Sequence, residues 1–498
     1  MNCVSGWFAS HREEFLRDLT ALIAIPSVKG KSEHQAPYGS GPALALEFAV
    51  SLARSFGLEA YSLDGRAAIV ELGSPGRLDI LAHLDVVDGG SGWSITKPFE
   101  ARVVGDRFYG RGAMDDKGPA LAALYAMRCL KELRVRMDGG VRLMLGLDEE
   151  SGSSDLKYYR ERFPEAEYTF TPDAHFPLVN AEKGGFFVDF YSMLTPAEPT
   201  DLVYLKAGTK GNVIPGESEA TIRGLGTDIL KKALRKTPII SGIGIDVSGL
   251  NETSIIHVYG TPAHAARPEK GENALTALLS ILAELPMPET PRMRAVSSLS
   301  RFFPHGKFDG DALNIALSDD ETGALTASLT MLSISDTGLD GHIDARIPLC
   351  AAREQLLSGV ALLENAGFAV QHKYIPAHYV PRDSRLCKTI LRCYEQVAGK
   401  KSYTLSEAGM TYAHGIRNAV AFGCTPDGLE TNIHGADEFA PINTLLMSGE
   451  IFAMVIKDLC SEKYGNKKGE KHEITTCNRS ACQTAIQHKA HICFWYCR

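Results

Sequence analysis

The chain has no continuous apolar run of the ~18 to 20 residues that a bilayer core demands, and its opening residues, MNCVSGWFASHREEF, lack a basic segment leading into an apolar one. Both absences predict a soluble protein with no membrane partner, kept in the cytoplasm. A block of one charge is also missing. The 60 acidic and 52 basic residues are dispersed and sum to a net charge of -8, which leaves no electrostatic footprint for a phosphate backbone. Nucleic acid is thereby excluded as a main partner. The cysteines lack a pairing rhythm. Cys3, Cys129, Cys350, Cys387, Cys393 and Cys424 are scattered, as expected of buried or idle thiols in a reducing compartment. Five more, Cys460, Cys477, Cys482, Cys493 and Cys497, crowd into or beside a tail with no helical or strand period. That tail, residues 461–498, contains no CxxC pair, so it reads as a disordered or aberrant extension rather than a small zinc knot.

The chain also has no internal repeat and no low-complexity linker. At ~150 residues per domain, 498 residues allow two to four domains, and 44% hydrophobic with 22% charged residues is normal for globular proteins. Residues from Trp7 to Ile25 carry apolar side chains at helical spacing and stop at Pro26. AAIVEL, RLDILAHLDVV and VRLMLGLDEE then read as short strands ending on polar or acidic residues, and they alternate with helices such as 118–135. Past Gly184-Gly185 the texture changes: FFVDFYSM, EATIRGLG, SIIHVYG and ASLTMLSISDTG alternate with period two around one helix, ALTALLSILAEL. From Arg385 the helical period returns, and INTLLMSGEIFAMVIKDLC reads as a closing helix. This pattern predicts an α/β domain, residues 1–184 and 381–460, interrupted by an inserted α+β domain over 185–380.

Ligands of open α/β sheets bind beyond the carboxyl ends of the strands. The polar residues expected there are His83 and Asp85 in LAHLDVV, Asp115 and Asp116 in GRGAMDDKG, Glu149 and Glu150 in LGLDEESGS, Asp173 in FTPDAHFP and His434 in NIHGADEF. Two histidines with several carboxylates suit zinc, and the oxygen donors tolerate manganese or cobalt. Spacing alone does not make them converge, since each is also readable as a solvated strand end or a helix cap. Asp148-Glu149-Glu150 adds weight: three adjacent carboxylates delivered by one strand repel one another unless a cation neutralises them. Asp116 has the alternative of capping the helix that follows it.

Taken in order, LAHLDVV, GRGAMDDKG, LDEESGS, FTPDAHFPLVNAEKG, YGTPAHAARPEKGENA and NIHGADEF resemble the zinc-dependent dipeptidase and deacylase family that includes carnosinase, carboxypeptidase G and succinyl-diaminopimelate desuccinylase, and most of all its dipeptidase V-like branch. The resemblance covers about residues 7–460 and leaves out only the tail. It implies a two-domain metallopeptidase with a lid and two zinc ions bridged by Asp115. His83 and Asp173 would serve one ion, and Glu150 and His434 the other. Glu149 would be the general base, and Asp85 the carboxylate that fixes the His83 tautomer. It further implies that His264 polarises the scissile carbonyl or stabilises the oxyanion, that Asn212 lies near the substrate carbonyl, and that Arg346 grips a substrate carboxylate. The substrate implied is a small peptide with a free amino terminus, and the oligomeric state implied is a monomer.

Two departures bear on specificity. SEAGMTYAHG stands where the family often carries a Gly-Gly-Thr loop, and His175 follows Asp173-Ala174 where that branch more often has an acidic residue. A deacylase acting on N-acyl amino acids is the alternative within the family. A metal-binding protein without turnover is the alternative outside it.

Overall fold

The computed structural model describes residues 3–74, 76–234 and 241–461. The aliphatic strings AAIVEL, RLDILAH and VRLMLG form the strands Ala67–Leu72, Leu78–His83 and Val141–Gly146 of a nine-stranded sheet. Its order is Glu59–Leu63, Ala67–Leu72, Val141–Gly146, Leu78–His83, Tyr168–Thr171, Ala419–Ala421, Val179–Glu182, His378–Tyr379, with Leu405–Glu407 pairing beside Val179–Glu182. Four consecutive strands of this order, from Val141–Gly146 to Ala419–Ala421, run parallel. Strands buried on both faces need apolar residues at nearly every position. Leu78–His83 and Val141–Gly146 are buried throughout. One face is covered by the helices Ser40–Ser55, Lys117–Glu132, Arg385–Ala398 and Ile442–Cys460, which share a single core. Cys129, Cys387, Cys393, Cys424 and Cys460 are buried thiols.

The chain leaves this sheet after Glu182 and builds an eight-stranded antiparallel sheet from Gly184–Met193 to Ala369–Ile375 before returning at His378. The fold is thus α/β interrupted by α+β. The period-two strings become Gly184–Met193, Glu217–Arg223, Thr253–Tyr259 and Thr326–Ile334, and their buried faces form a second core with the helices Ala274–Ala283, Pro291–Phe302 and Arg353–Asn365. Only the first of these helices is expected from the sequence pattern. In Pro291–Phe302 the apolar stripe is thin, with Met293, Val296 and Leu299 buried, and the helix start is instead marked by Thr290, whose hydroxyl accepts the Met293 N–H.

The single first helix expected over Trp7–Ile25 is two helices, Cys3–Ser10 and Arg12–Ile23. The break falls at His11, whose ring stacks on Trp7 at 3.9 Å and whose Nδ1 lies 2.8 Å from the Trp7 carbonyl. The reading of the tail falls on residues 462–498, outside the described residues, although Cys460 itself closes the last helix.

Within the parallel core, neighbouring Asp79 and Arg142 are both buried, and Arg142 Nη2 donates to Asp79 Oδ2 at 3.0 Å while the Tyr159 hydroxyl donates to the same oxygen at 2.6 Å. Asp79→Ala would leave the buried Arg142 guanidinium with the Tyr159 hydroxyl and, 4.0 Å away, the Glu71 carboxylate. The expected cost is about 3–5 kcal/mol of unfolding free energy, read by urea denaturation against wild type.

Candidate active site

The parallel strands end at His83, Gly146, Thr171 and Ala421, and the first three present the expected polar residues on the same edge. His83 is the last residue of its strand. Glu149 and Glu150 open a short 3-10 turn just after Gly146, and Asp173 lies two residues beyond Thr171. Asp115 comes from the loop before the helix Lys117–Glu132, and His434 from a loop before the closing helix, where its backbone is left-handed at φ 63°. These residues do converge. His83 Nε2 stands 3.0 Å from Asp115 Oδ1 and 3.7 Å from Asp173 Oδ2. His434 Nε2 stands 2.9 Å from Asp115 Oδ2 and 3.1 Å from Glu150 Oε1. Two trios of donors result, His83–Asp115–Asp173 and Asp115–Glu150–His434, each with its ligand atoms within 4.8 Å of one another. Asp115 is common to both.

One atom tests whether a cation fits. Buried His83 Nε2 makes no hydrogen bond of acceptable geometry despite the carboxylate oxygen 3.0 Å away. A lone pair aimed at a shared centre accounts for both facts. Its tautomer is set from the other side, because His83 Nδ1 lies 3.0 Å from the Asp85 carbonyl oxygen, which can only accept. The partner of Nδ1 is therefore the Asp85 main chain rather than its carboxylate. The Asp85 carboxylate, 3.5 Å from Nδ1, instead accepts the Glu149 and Glu150 N–H groups, each at 3.2 Å. Asp85 thus fixes the imidazole and the two-glutamate turn together.

Of the three adjacent carboxylates, Asp148 turns away. It pairs with Lys29 and accepts from the Ser151 hydroxyl and the Ser154 amide, which hold its pKa below the usual range against burial. Mutual repulsion among three carboxylates is thus a repulsion between two. Asp116 makes no side-chain cap to its helix; its Oδ2 accepts the His83 N–H at 3.0 Å.

Charge at the site is unbalanced. Burial raises Glu149 well above the ordinary carboxylate range, with Asp173, Glu150 and Asp115 adding to the rise against His83. Burial raises Asp173 and Glu150 too, with Asp115 the next contribution. Asp115 is held low, against burial, by His434 and His83. His434 is pushed up to about 11 by Asp115 and Glu150, against burial. Four carboxylates facing two imidazoles form a donor set that divalent cations neutralise, displacing the imidazole protons.

The sequence reading did not single out the group that holds this arrangement. Buried Glu438 accepts the N–H groups of Gly112, Met114 and Asp115 and the guanidinium of Arg111 at 2.7 Å, and Arg111 Nη2 reaches the His434 carbonyl at 3.2 Å. It lies four residues past His434 in the same motif, but its task is set by backbone amides that composition does not reveal.

A separate two-stranded ribbon, between strands of the second sheet in sequence, brings His264 to the same cleft, a cavity of about 300 Å³ lined also by Asp115, Asp173, His434, Gly409 and Thr411. His264 sits in the short strand Ala263–His264, paired with Val213–Ile214, which puts Asn212 beside it; the Asn212 carbonyl accepts the Ala265 N–H at 2.8 Å. His264 Nδ1 accepts the Ala266 N–H at 3.1 Å, so the ring hydrogen is on Nε2, and burial and then the charge of Arg346 lower its pKa. Arg346 itself is buried. Its Nε and Nη2 are both taken by Asp344, at 2.7 and 2.9 Å, and its Nη1 lies 3.4 Å from the Ala408 carbonyl. His175 lines the cleft 3.8 Å from Glu407, and Glu407 accepts both hydrogen bonds of Arg267 Nη2.

The family model described as peptidase family M20/M25/M40 matches residues 80–458. The chain is 30% identical over 466 residues to the Beta-Ala-Xaa dipeptidase of Lactobacillus delbrueckii subsp. lactis, covering 91% of this chain and 97% of that one. Among solved structures it is similar to human carnosine dipeptidase 1, with a TM-score of 0.56 at 15% identity over 92% of this chain and 98% of that one. It is also similar to the Bacillus subtilis protein YXEP, described as a dinuclear metal binding peptidase from the M20 family, with a TM-score of 0.52 at 9% identity over 91% of this chain and 99% of that one. With a match spanning most of its length and the two donor trios meeting at Asp115, the chain belongs to peptidase family M20/M25/M40.

Proposed function

We propose that this peptidase hydrolyses dipeptides with a free amino terminus, using two zinc ions held by His83, Asp115 and Asp173 on one side and by Asp115, Glu150 and His434 on the other. The observation that carries the reading is Asp115 shared between two donor trios, in one cleft with His264 from the inserted segment. The similarity to a Beta-Ala-Xaa dipeptidase supports the substrate class. A cavity of about 300 Å³ is at the small end for ligand sites and suits one or two residues. Manganese and cobalt fit the same donors.

Bound there, the cations would acidify a water and polarise the scissile carbonyl. Glu149, whose pKa is raised mainly by burial, then takes the proton of the attacking water and returns it to the leaving amine. His264, fixed as the Nε2–H tautomer, donates to the oxyanion. Asn212, next to His264, serves the substrate carbonyl. For Arg346 the Nε hydrogen and one Nη2 hydrogen are committed to Asp344, so its part in holding a substrate carboxylate falls to the remaining hydrogens on the two Nη atoms.

In this reading residues 1–184 and 381–460 form the metal-binding domain and 185–380 the lid, and the site is complete only when both meet. The ion pairs Arg267–Glu407 and Lys270–Glu430 join the two. Among the described residues no helix is long and apolar enough to cross a membrane. A monomer in the cytoplasm is the state proposed.

The deciding experiment gives metal-reconstituted protein a panel of dipeptides, tripeptides and N-acetyl amino acids. Dipeptide cleavage abolished by chelation is expected, whereas turnover of the N-acetyl compounds alone would make the protein a deacylase. Glu149→Gln is expected to lower kcat by about 10²–10⁴-fold with metal content unchanged, measured by steady-state kinetics beside elemental analysis. Glu438→Gln, which loosens the loop carrying Asp115, is expected to weaken metal affinity by about 10–100-fold, read by competition with a chromophoric chelator.

A further inference from the structure

The chain crosses between its two sheets twice, at residues 182–184 going out and 375–378 coming back. These crossings lie against each other. His378 pairs with Glu182 and Ile375 with Gly185, and a Cβ on Gly184 would meet the Ile375 carbonyl oxygen at 2.3 Å. Beside them runs the strand Leu405–Glu407, with Glu407 in register with Glu182 and the Lys183 N–H donating to the Glu407 carbonyl at 2.9 Å. It feeds directly into the segment whose Gly409 and Thr411 line the cleft with Asp115 and His264.

Two side chains tie these pieces together. Glu182 is 1% exposed, and its carboxylate accepts the Thr411 hydroxyl at 2.6 Å and the Thr411 N–H at 3.4 Å. Its Oε2 also lies 2.9 Å from His414 Nδ1. The other nitrogen of that imidazole, Nε2, donates to the Pro376 carbonyl at 2.9 Å. One carboxylate and one ring therefore connect the outgoing crossing, the returning crossing and the cleft wall. Nothing in the proposed chemistry needs His414, and its ring does not line the cleft.

We infer that Glu182 and His414 are positioning residues that lock the cleft segment Gly409–Thr411 to both crossings, so the set of the second sheet over the first and the shape of the substrate cleft change together. A buried carboxylate that holds two groups of Thr411 and the ring of His414 transmits displacement because breaking any contact leaves a polar group unpaired. Thr411 is the point of delivery, since its hydroxyl also accepts the Ala413 N–H at 3.1 Å and so has one orientation only.

The kinetic part of this inference rests on the dipeptidase reading, and the structural part does not. Hydrogen exchange with mass spectrometry on the metal-loaded full chain tests the latter, comparing wild type with His414→Phe and Glu182→Gln. Uptake is expected to rise together in peptides spanning 182–186, 374–378 and 405–415. A rise confined to 405–415, or no rise, overturns the coupling. In parallel, each variant is expected to raise KM for a dipeptide about tenfold, the loss of one charge-assisted hydrogen bond, with kcat within about threefold of wild type. A fall in kcat at unchanged KM, or identical kinetics, also overturns it. Should wild type cleave no dipeptide, the dipeptidase reading fails while the exchange result still decides the coupling. If Glu182→Gln does not fold, His414→Phe, at a side chain 10% exposed, carries the test alone.

Discussion

Asp115 lies between two imidazoles, at 3.0 Å from His83 and 2.9 Å from His434, and the loop that bears it has three N–H groups collected by the one buried carboxylate of Glu438. A carboxylate facing two ring nitrogens and three other carboxylates does not keep its place by charge alone, because desolvation opposes every ionised group there. The backbone has to be held first. Glu438 holds the loop of Asp115, Asp116 holds the amide of His83, and Asp85 holds the amides of Glu149 and Glu150. Each carboxylate of the outer ring accepts main-chain N–H groups, so the inner ring is built on fixed amides.

The residues of the inner ring were legible in the sequence only as candidates at strand ends, and their grouping around two ions came from the resemblance of six ordered motifs. Each could equally end a strand in solvent or cap a helix, and it is the parallel order of the strands that carries His83, Glu149, Glu150 and Asp173 to a common edge. The outer ring was not legible, because a buried Glu or Asp that accepts backbone amides leaves no periodic trace. Glu438 reads as the end of a loop motif and Glu182 as the end of a strand. Asp148 reads as one of three equivalent acids, and Lys29, far away in sequence, together with Ser151 and Ser154 turns it aside. Arg346 was legible as an arginine on a strand, but its commitment to Asp344 two residues earlier shows only when both side chains share a face.

The same division runs through the fold. Strong alternation and long apolar helices could be read directly. The helix Arg353–Asn365 has Leu356, Gly359, Val360 and Leu363 buried at helical spacing, yet in the sequence that stripe is interrupted by polar residues and flanked by strands. The break at His11 depends on a ring stacked on Trp7, a contact that no period describes. Tertiary contacts decide such places, and local preference is overridden.

The buried Asp79–Arg142 pair has a bearing beyond its own energy. Asp79 sits four residues before His83 on the same face of its strand, and in the neighbouring parallel strand Arg142 sits four residues before Gly146, which leads to Glu149 and Glu150. Sliding one strand by a single residue would reverse its faces and leave a guanidinium buried among aliphatic side chains. The contact therefore acts as an indexing pin about 13 Å from the strand tips, at 3.3 Å per residue. It selects the one alignment in which His83 and the glutamate turn reach the same height, before any ligand of the cations has met another.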